Sequence, residues 1–207
     1  MANWAPKVIA EAACALKGAD WLLTKLPTSV NAISFEGAVV VEPTPPVSLT
    51  TALVPPSAKP TILLKKVDVL TINDEEARQL SNTYSLVKAA ALIQEMGPKI
   101  VIIKKGEHGA LLFHGSQMFF APALPLEDVF DPTGAGDTFA GGFVAHLAKT
   151  KDFSFNNMKS AIIVGSALAS FCVEKFGTQR LTEISKADIK ERIQSFVQLV
   201  NFDIELV

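Results

Sequence analysis

The sequence has little of what marks metal-binding or disulfide-rich proteins. Its 207 residues include only two cysteines, Cys14 and Cys172, and these lack metal-ligand spacing, so both are expected to be reduced and buried. The three histidines, His108, His114 and His146, share no ligand spacing either. We therefore assign none of these five side chains to a metal site.

The chain also lacks a strong charge of one sign and a long apolar run. Its formal net charge is −2 with a pI near 5.9, and no long Lys/Arg cluster is present, so nucleic acid is not an expected partner. A signal-peptide pattern is absent. Lys7, Glu11, Lys17 and Asp20 interrupt the first apolar runs well before the roughly 18 residues that a membrane span needs. With 49% hydrophobic residues, the chain is predicted to be a cytoplasmic globular protein without a membrane partner.

The first 60 residues show few regular signals. A short helix is predicted from Pro6 to Leu16, and "FEGAVVVEP" (35–43) is compatible with a strand. Residues 43–60 hold six prolines, a density that predicts a loop or linker with no helix or central strand. We therefore expect residues 1–60 to be a separate N-terminal segment of uncertain structure that ends in a proline-rich linker.

After Pro60, strands alternate with helices, which predicts a three-layer α/β core over residues 61–207. Asn73 with Glu76 has the spacing of a capping box, Asn156 or Asn157 is a cap candidate, and Ser185 is another. The predicted strands are "VDVLTI" (67–72), "KIVIIKKG" (99–106) and a hairpin of "GALLFH" and "QMFFAP" around 115–116. The predicted helices are "EEARQL" (75–80), "SLVKAAALIQEMG" (85–97), 136–149, "MKSAIIVGSALASFCVEKF" closed by 177, and "SKADIKERIQSFVQLV" (185–200).

The most informative stretch is "DPTGAGDTFAGGF", from Asp131 to Phe143. It is not a Walker A loop, because Asp137 and Thr138 rather than Lys and Ser/Thr follow the last glycine of the turn. It is not a dinucleotide fingerprint either, because the large ring of Phe139 stands where a third small residue is needed. The remaining interpretation is a glycine-rich turn that opens a helix.

Gly134, Ala135 and Gly136 would form the first turn of that helix, and their free N–H groups together with the positive helix end would make an anion hole. A carboxylate repels an anion, so Asp137 needs a chemical reason to be there. If the anion is a phosphoryl group in transfer, Asp137 can accept the proton of an attacking hydroxyl. The alternative is that Asp131 and Asp137 merely cap a tight turn.

These residues carry a family resemblance. From about Val67 to Phe202 the chain resembles the C-terminal, ATP-binding part of the ribokinase/PfkB carbohydrate kinases, whose Asp-x-Thr-Gly-Ala-Gly-Asp signature is matched by residues 131–137. The resemblance implies a ribokinase-like three-layer sheet, with Asp137 as the catalytic base and Gly134 to Gly136 as the anion hole. It also implies that Asp131 and Thr133 help to hold a monovalent cation such as K⁺.

Three further elements match the family. Asn73 and Glu76 match an Asn-x-x-Glu element near Mg²⁺ and the nucleotide phosphates, with Glu76 acting on the metal through water; the capping box is a second role compatible with this. Lys104 and Gly106 match positions near the nucleotide, and an ordinary strand-end turn is the alternative. In the small-residue helix "GSALASF" (165–171), positions 165, 166 and 169 would leave room under the adenine, and tight helix packing is the alternative.

The resemblance implies an ATP- and Mg²⁺-dependent kinase that phosphorylates a hydroxyl of a sugar or nucleoside. It covers about two-thirds of the chain, and the family's N-terminal substrate and lid half, with its Gly-Gly motif, is not found in residues 1–60. A truncated, non-catalytic nucleotide-binding or interaction module therefore stays open as an alternative, as does a fragment whose core is left open. The acceptor is not readable, and neither is the oligomeric state, for which a homodimer is one option.

Overall fold

The structure, a computed structural model, describes residues 68–201 together with residues 64 and 203, and the backbone of two short strands at 39–41 and 49–51. The helix predicted from Pro6 to Leu16 lies outside the described residues. No helix in the described part of the chain is long and apolar enough to cross a membrane.

The strands of the described residues form one mixed sheet whose spatial order follows the chain. Strands β2, β3 and β4 are parallel, whereas β1 is antiparallel to β2, and the β5–β6 hairpin is antiparallel to β4. Both hairpin strands lie where the sequence predicts them. The strands are β1 (Val39–Val41), β2 (Leu49–Thr51), β3 (Val69–Asn73), β4 (Ile100–Lys104), β5 (Ala110–His114) and β6 (Gln117–Ala121).

Strand β2 shows that the prediction for residues 43–60 is wrong at one point. Three residues inside this proline-rich stretch pair in parallel with β3, so the segment supplies a strand between β1 and β3 rather than a linker without strands. The physical reason lies in the spacing of the prolines. Eight consecutive residues, from Val47 to Val54, contain no proline and are rich in β-branched side chains, which is enough for a short strand.

The helices begin at polar caps that are mostly local in sequence. Asn73 caps α1 through a capping box and Ser185 caps α6, as the sequence predicts, and Ser185 also forms a capping box, with Asp188. The cap of α4 is Ser154, not Asn156 or Asn157, and this helix ends at Cys172 rather than continuing to residue 176. The helices are α1 (Asp74–Ser81), α2 (Leu86–Met96), α3 (Ala135–Thr150), α4 (Phe155–Cys172), α5 (Gln179–Glu183) and α6 (Lys186–Val200), with a 3₁₀ turn at Gly106–His108. The sequence analysis did not predict α5 or the 3₁₀ turn.

Alternation along β3 and β4 divides the core into two apolar layers, one on each face of the sheet. Leu70 and Val101 point to one face, where they pack with buried alanines of α1 and α2. Val69 and Ile102 point to the other face and pack with buried side chains of α3 and α4. The predicted three-layer α/β arrangement is therefore confirmed.

Helices α3 and α4 approach each other closely because both carry glycine at their contact. A Cβ at Gly165 would lie 2.6 Å from the carbonyl oxygen of Phe139, and one at Gly142 would lie 2.9 Å from the Cα of Gly165. Real side chains do not tolerate such distances, so these glycines are what allows the two backbones to meet. This contact fixes the position of α3, the helix that follows the glycine-rich turn.

Replacing Gly165 by Ala should destabilise the fold, even though Ala is intrinsically the better helix former. The added methyl group has to push α3 away, and overpacking of this kind costs about 1–3 kcal/mol. Ser160→Ala, at an exposed position of the same helix, is the matched control and should leave stability unchanged or slightly raised. Urea unfolding followed by circular dichroism measures both variants. A Gly165→Ala protein at least as stable as wild type would show that the helices can separate freely at this point.

Candidate active site

The site lies where strands β3 and β4 end, opposite the first turn of α3. Asn73 is the last residue of β3 and Lys104 the last of β4, and the parallel register pairs them directly. The carboxyl ends of neighbouring parallel strands are the usual place for ligands in open α/β sheets. Two of the predicted nucleotide-site residues are thus brought side by side by the sheet itself.

Asn73 and Glu76 hold each other through the capping box of α1. The N–H of Glu76 donates to Oδ1 of Asn73 at 2.8 Å, and the N–H of Asn73 donates to Oε2 of Glu76 at 2.8 Å. The local role that the sequence offered as an alternative is therefore present. It also fixes the Glu76 carboxylate at the strand end beside Lys104, so the cap does not compete with a role in the site.

The glycine-rich turn presents backbone N–H groups at the start of α3. Gly134 adopts the left-handed conformation, with φ +85°, and leads into the helix without a side-chain cap. The N–H of Ala135 donates to the carbonyl of Pro132 at 3.2 Å, so this group is used inside the turn. Within residues 68–201, the structure gives no hydrogen-bond partner for the N–H groups of Gly136 and Asp137. Of the expected donors, Ala135 is thus engaged within the turn, and the N–H of Asp137 is a further donor that the sequence did not indicate.

The ammonium group of Lys104 reaches across to this turn. A Cβ added to Gly136 would lie 2.8 Å from Nζ of Lys104, so the lysine head occupies the space that the glycine leaves open. Burial lowers the pKa of Lys104, and the nearby carboxylates of Glu76 and Asp137 oppose that shift. One desolvated cation therefore links the end of β4, the cap of α1 and the first turn of α3.

Asp137 lies in the first turn of α3, partly buried. Burial raises the pKa of Asp137, and the ammonium of Lys104 partly opposes this by favouring the ionised form. A carboxylate whose pKa is raised is a better proton acceptor than an exposed one, and neighbouring N–H donors can carry negative charge. The arrangement can thus receive a proton and stabilise an anion within one helical turn.

Asp131 ties the segment before the turn to a loop that follows α4. Its Oδ1 accepts the N–H of Thr133 at 2.9 Å and its Oδ2 accepts the N–H of Gly177 at 3.3 Å. Hydrogen bonding by the Thr133 side chain lowers the pKa of Asp131 most, and these two backbone hydrogen bonds lower it further. This role of Gly177 is not predicted from the sequence, in which the residue marks only the end of a helix. No group of three or more His, Cys, Asp or Glu side chains in the described residues could hold a metal ion on its own.

The three remaining residues predicted near the nucleotide, Gly106, Gly165 and Ala169, lie in different surroundings. Gly106 has φ +55° and is the first residue of the exposed 3₁₀ turn that follows β4. The strand thus ends in a 3₁₀ turn and not in the ordinary turn offered as the alternative. Gly165 faces the backbone of Phe139 in α3, so the tight helix packing offered as the alternative is what its geometry shows, and the space beside it is filled. Ala169, one helical turn later, is half-buried against the core.

Comparison with known proteins gives these features a family context. The sequence model of the pfkB family carbohydrate kinases matches residues 46–185. The chain is 32% identical to a ribokinase of Staphylococcus aureus over 84% of this chain and 57% of that protein. It is also 32% identical to a cytidine kinase of Thermococcus kodakarensis, over 58% of this chain and 42% of that protein. The chain thus spans about half the length of the curated relatives it matches.

Solved structures show the same fold. The crystal structure of aminoimidazole riboside kinase from Salmonella enterica, complexed with aminoimidazole riboside and an ATP analogue, superposes with a TM-score of 0.57 at 26% identity, over 64% of this chain and 44% of that one. The ribokinase of Arabidopsis thaliana complexed with ribose and ATP superposes with a TM-score of 0.53 at 27% identity, over 70% and 44% of the two chains. The architecture is therefore ribokinase-like.

The two aspartates of the glycine turn should affect the pH dependence of stability in opposite directions. The pKa of Asp137 is raised in the folded state, so its ionisation destabilises the fold and its protonation at lower pH removes that effect. The pKa of Asp131 is lowered, so its ionised form stabilises the fold above the ordinary value of 3.8, and this contribution is lost as the pH falls through the folded-state pKa.

We therefore expect Asp137→Asn to be more stable than wild type at pH 7, and Asp131→Asn to be less stable. The difference for Asp137→Asn should close as the pH falls to 3.8, whereas the difference for Asp131→Asn should close only below that value. Urea unfolding at a series of pH values measures both differences, and each variant serves as the other's control. Differences of the same sign at neutral pH would contradict this assignment of the two carboxylates.

Proposed function

Because the chain belongs to the pfkB family of carbohydrate kinases, we propose that it transfers a phosphoryl group from ATP to a hydroxyl of a sugar or nucleoside. The observation that carries this proposal is the convergence of Lys104, Glu76 and Asp137 at the start of α3, beside backbone N–H groups without a partner in the described residues. The named ribokinase, cytidine kinase and aminoimidazole riboside kinase relatives support the class of acceptor.

The residues of this site are chemically suited to a nucleoside triphosphate. The N–H groups of Gly136 and Asp137 and the positive end of α3 favour phosphate oxygens, and Nζ of Lys104 lies at the same turn. ATP supplies the phosphoryl group and Mg²⁺ screens its charge when both are bound. Glu76 offers a single carboxylate, which suits a Mg²⁺ ion that keeps several of its waters. Asn73 holds that carboxylate in place.

Asp137 acts as the base in this proposal. It accepts the proton of the acceptor hydroxyl, while the N–H groups of the turn and Lys104 stabilise charge on the phosphoryl oxygens. Burial raises the pKa of Asp137, which favours proton uptake, while the Lys104 ammonium partly opposes that rise. Asp131 and Thr133 are proposed to hold a K⁺ ion beside the turn, and the nucleotide base is proposed to lie over Gly106 and Ala169.

A second candidate is a nucleotide-binding or interaction module that does not catalyse transfer. The observation that favours it is the partial coverage of the relatives, since the chain spans only 57% of the S. aureus ribokinase and 42% of the cytidine kinase. A base without a positioned hydroxyl loses the advantage of proximity, which is worth up to about 7–11 kcal/mol. Calorimetric titration with ATP and Mg²⁺, beside a kinase assay on a panel of sugars and nucleosides, separates the two candidates. Binding without turnover on any acceptor would favour the module.

Asp137→Asn should leave nucleotide binding nearly intact and lower turnover by at least about 10²–10⁴-fold, because it removes the proton acceptor but keeps the shape of the side chain. The matched control is Asp128→Asn, the same change at an exposed position outside the cluster, which should keep wild-type turnover. Steady-state turnover and ADP affinity are measured for both variants. Wild-type turnover in Asp137→Asn would remove Asp137 from the role of base.

Lys104→Met should weaken ADP binding by about tenfold to a hundredfold, since a charge-assisted hydrogen bond to phosphate contributes about 1.5–3 kcal/mol. Lys105→Met is the matched control, because the Lys105 ammonium lies 5.9 Å from the Phe120 ring rather than at the turn. Calorimetry at two salt concentrations checks the expectation. Equal ADP affinities for Lys104→Met and Lys105→Met would show that the phosphates do not bind beside Lys104.

A further inference from the structure

The segment that leads into the glycine turn is hydrogen-bonded to one loop, residues 173–178 between α4 and α5, which we call the support loop. The N–H groups of Phe130 and Asp131 both donate to the carbonyl of Val173, at 2.9 and 3.4 Å. The N–H of Gly177 donates to Asp131 in return. The start of α3 therefore depends for its position on this support loop as well as on the contact with α4.

One carboxylate, that of Glu174, connects the support loop to both C-terminal helices. Glu174 accepts from Nε of Arg180 at 2.9 Å through one oxygen, and from Nη2 of Arg192 at 2.6 Å through the other. Arg180 belongs to α5 and Arg192 to α6, so a single side chain joins the loop to both C-terminal helices. The Glu174 side chain is 24% exposed and the Arg192 side chain 17% exposed, which limits screening by solvent.

Arg192 of α6 is itself held in place by contacts with α4. Its Nη1 donates to Oγ of Ser170 at 3.0 Å, and its guanidinium lies 3.8 Å from the centre of the Phe171 ring. The hydrogen-bond fork therefore meets Glu174 already oriented. A contrast is given by Lys175 of the same loop, whose ion pair with Glu183 leaves both side chains 45% exposed and does not reach α6.

We propose that Glu174 is a positioning residue for the anion-binding turn: by joining the support loop to α5 and α6 through Arg180 and Arg192, it sets the place of Asp131 and thereby the direction of the N–H groups at the start of α3. This inference rests on the proposed function only in the identity of the anion. It makes the two C-terminal helices part of what determines nucleotide affinity.

Glu174→Gln keeps the size of the side chain but places an NH₂ group against one of the two guanidiniums. We expect backbone amide exchange to speed up at the hydrogen-bonded amides of this region, which are Phe130, Asp131, Ala135, Thr138 and Gly177. We also expect ADP affinity to fall about two- to thirtyfold, the range given by coupling energies of 0.5–2 kcal/mol. The matched control is Lys175→Met, which removes the exposed ion pair of the same loop, leaves Glu183 beside Arg180 and should change neither quantity. Exchange measured by NMR at a temperature well below the melting of all variants separates loosening of the turn from general destabilisation.

Arg192→Lys is the second variant, for the case in which Glu174→Gln does not fold. It keeps the charge but loses the fork that joins Glu174 to Ser170, so it should give a weaker change in the same amides. If the amides of the turn exchange in Glu174→Gln or Arg192→Lys as they do in Lys175→Met, and the variant only melts at a lower temperature, Glu174 is a stabilising residue alone and the proposal is overturned. If wild type binds no ADP, the proposed function fails, while amide exchange without nucleotide still decides the role of Glu174.

Discussion

The site depends on one desolvated ammonium group, that of Lys104, at the meeting point of three elements. A lysine at the end of a parallel strand would ordinarily point into solvent, but here Gly136 leaves a space that the ammonium fills. Burial disfavours its charge, and Glu76 and Asp137 oppose that effect. The same burial makes Asp137 a stronger proton acceptor. The proposed base, the proposed phosphate-binding charge and the end of the helix thus share one electrostatic environment.

The parts of the fold and site that could be predicted from the sequence are those that depend on neighbouring residues. The capping box of Asn73 and Glu76 spans three positions, and the turn of Gly134 to Gly136 is read from consecutive residues. The short apolar runs of residues 67–72 and 99–106 predicted β3 and β4 for the same reason. The family assignment, which rests on these short motifs in order, was confirmed by the match over residues 46–185.

What could not be predicted involves partners distant in sequence. Asp131 and Gly177 are 46 positions apart and nothing in either residue indicates the other. The cap of α4 was assigned to the wrong residue because the Asn157 amide is used elsewhere, donating to Oγ1 of Thr150 and the carbonyl of Asp152, while Ser154 takes the cap. Strand β2 forms because residues 49–51, which lie between prolines, pair with β1 on one side and with β3 on the other. In each case tertiary contacts decided between options that the local sequence left open.

The glycine contact between α3 and α4 has a consequence for how such chains can diverge. Gly142, Gly165 and the backbone of Phe139 are mutually dependent, since a side chain on either glycine would collide with the other helix. The two helices therefore form an exchange unit: a chimera built with a relative has to take both from the same parent. Because α3 begins at the glycine-rich turn and α4 ends at the loop that supports it, that unit would carry the anion-binding geometry with it into a new chain.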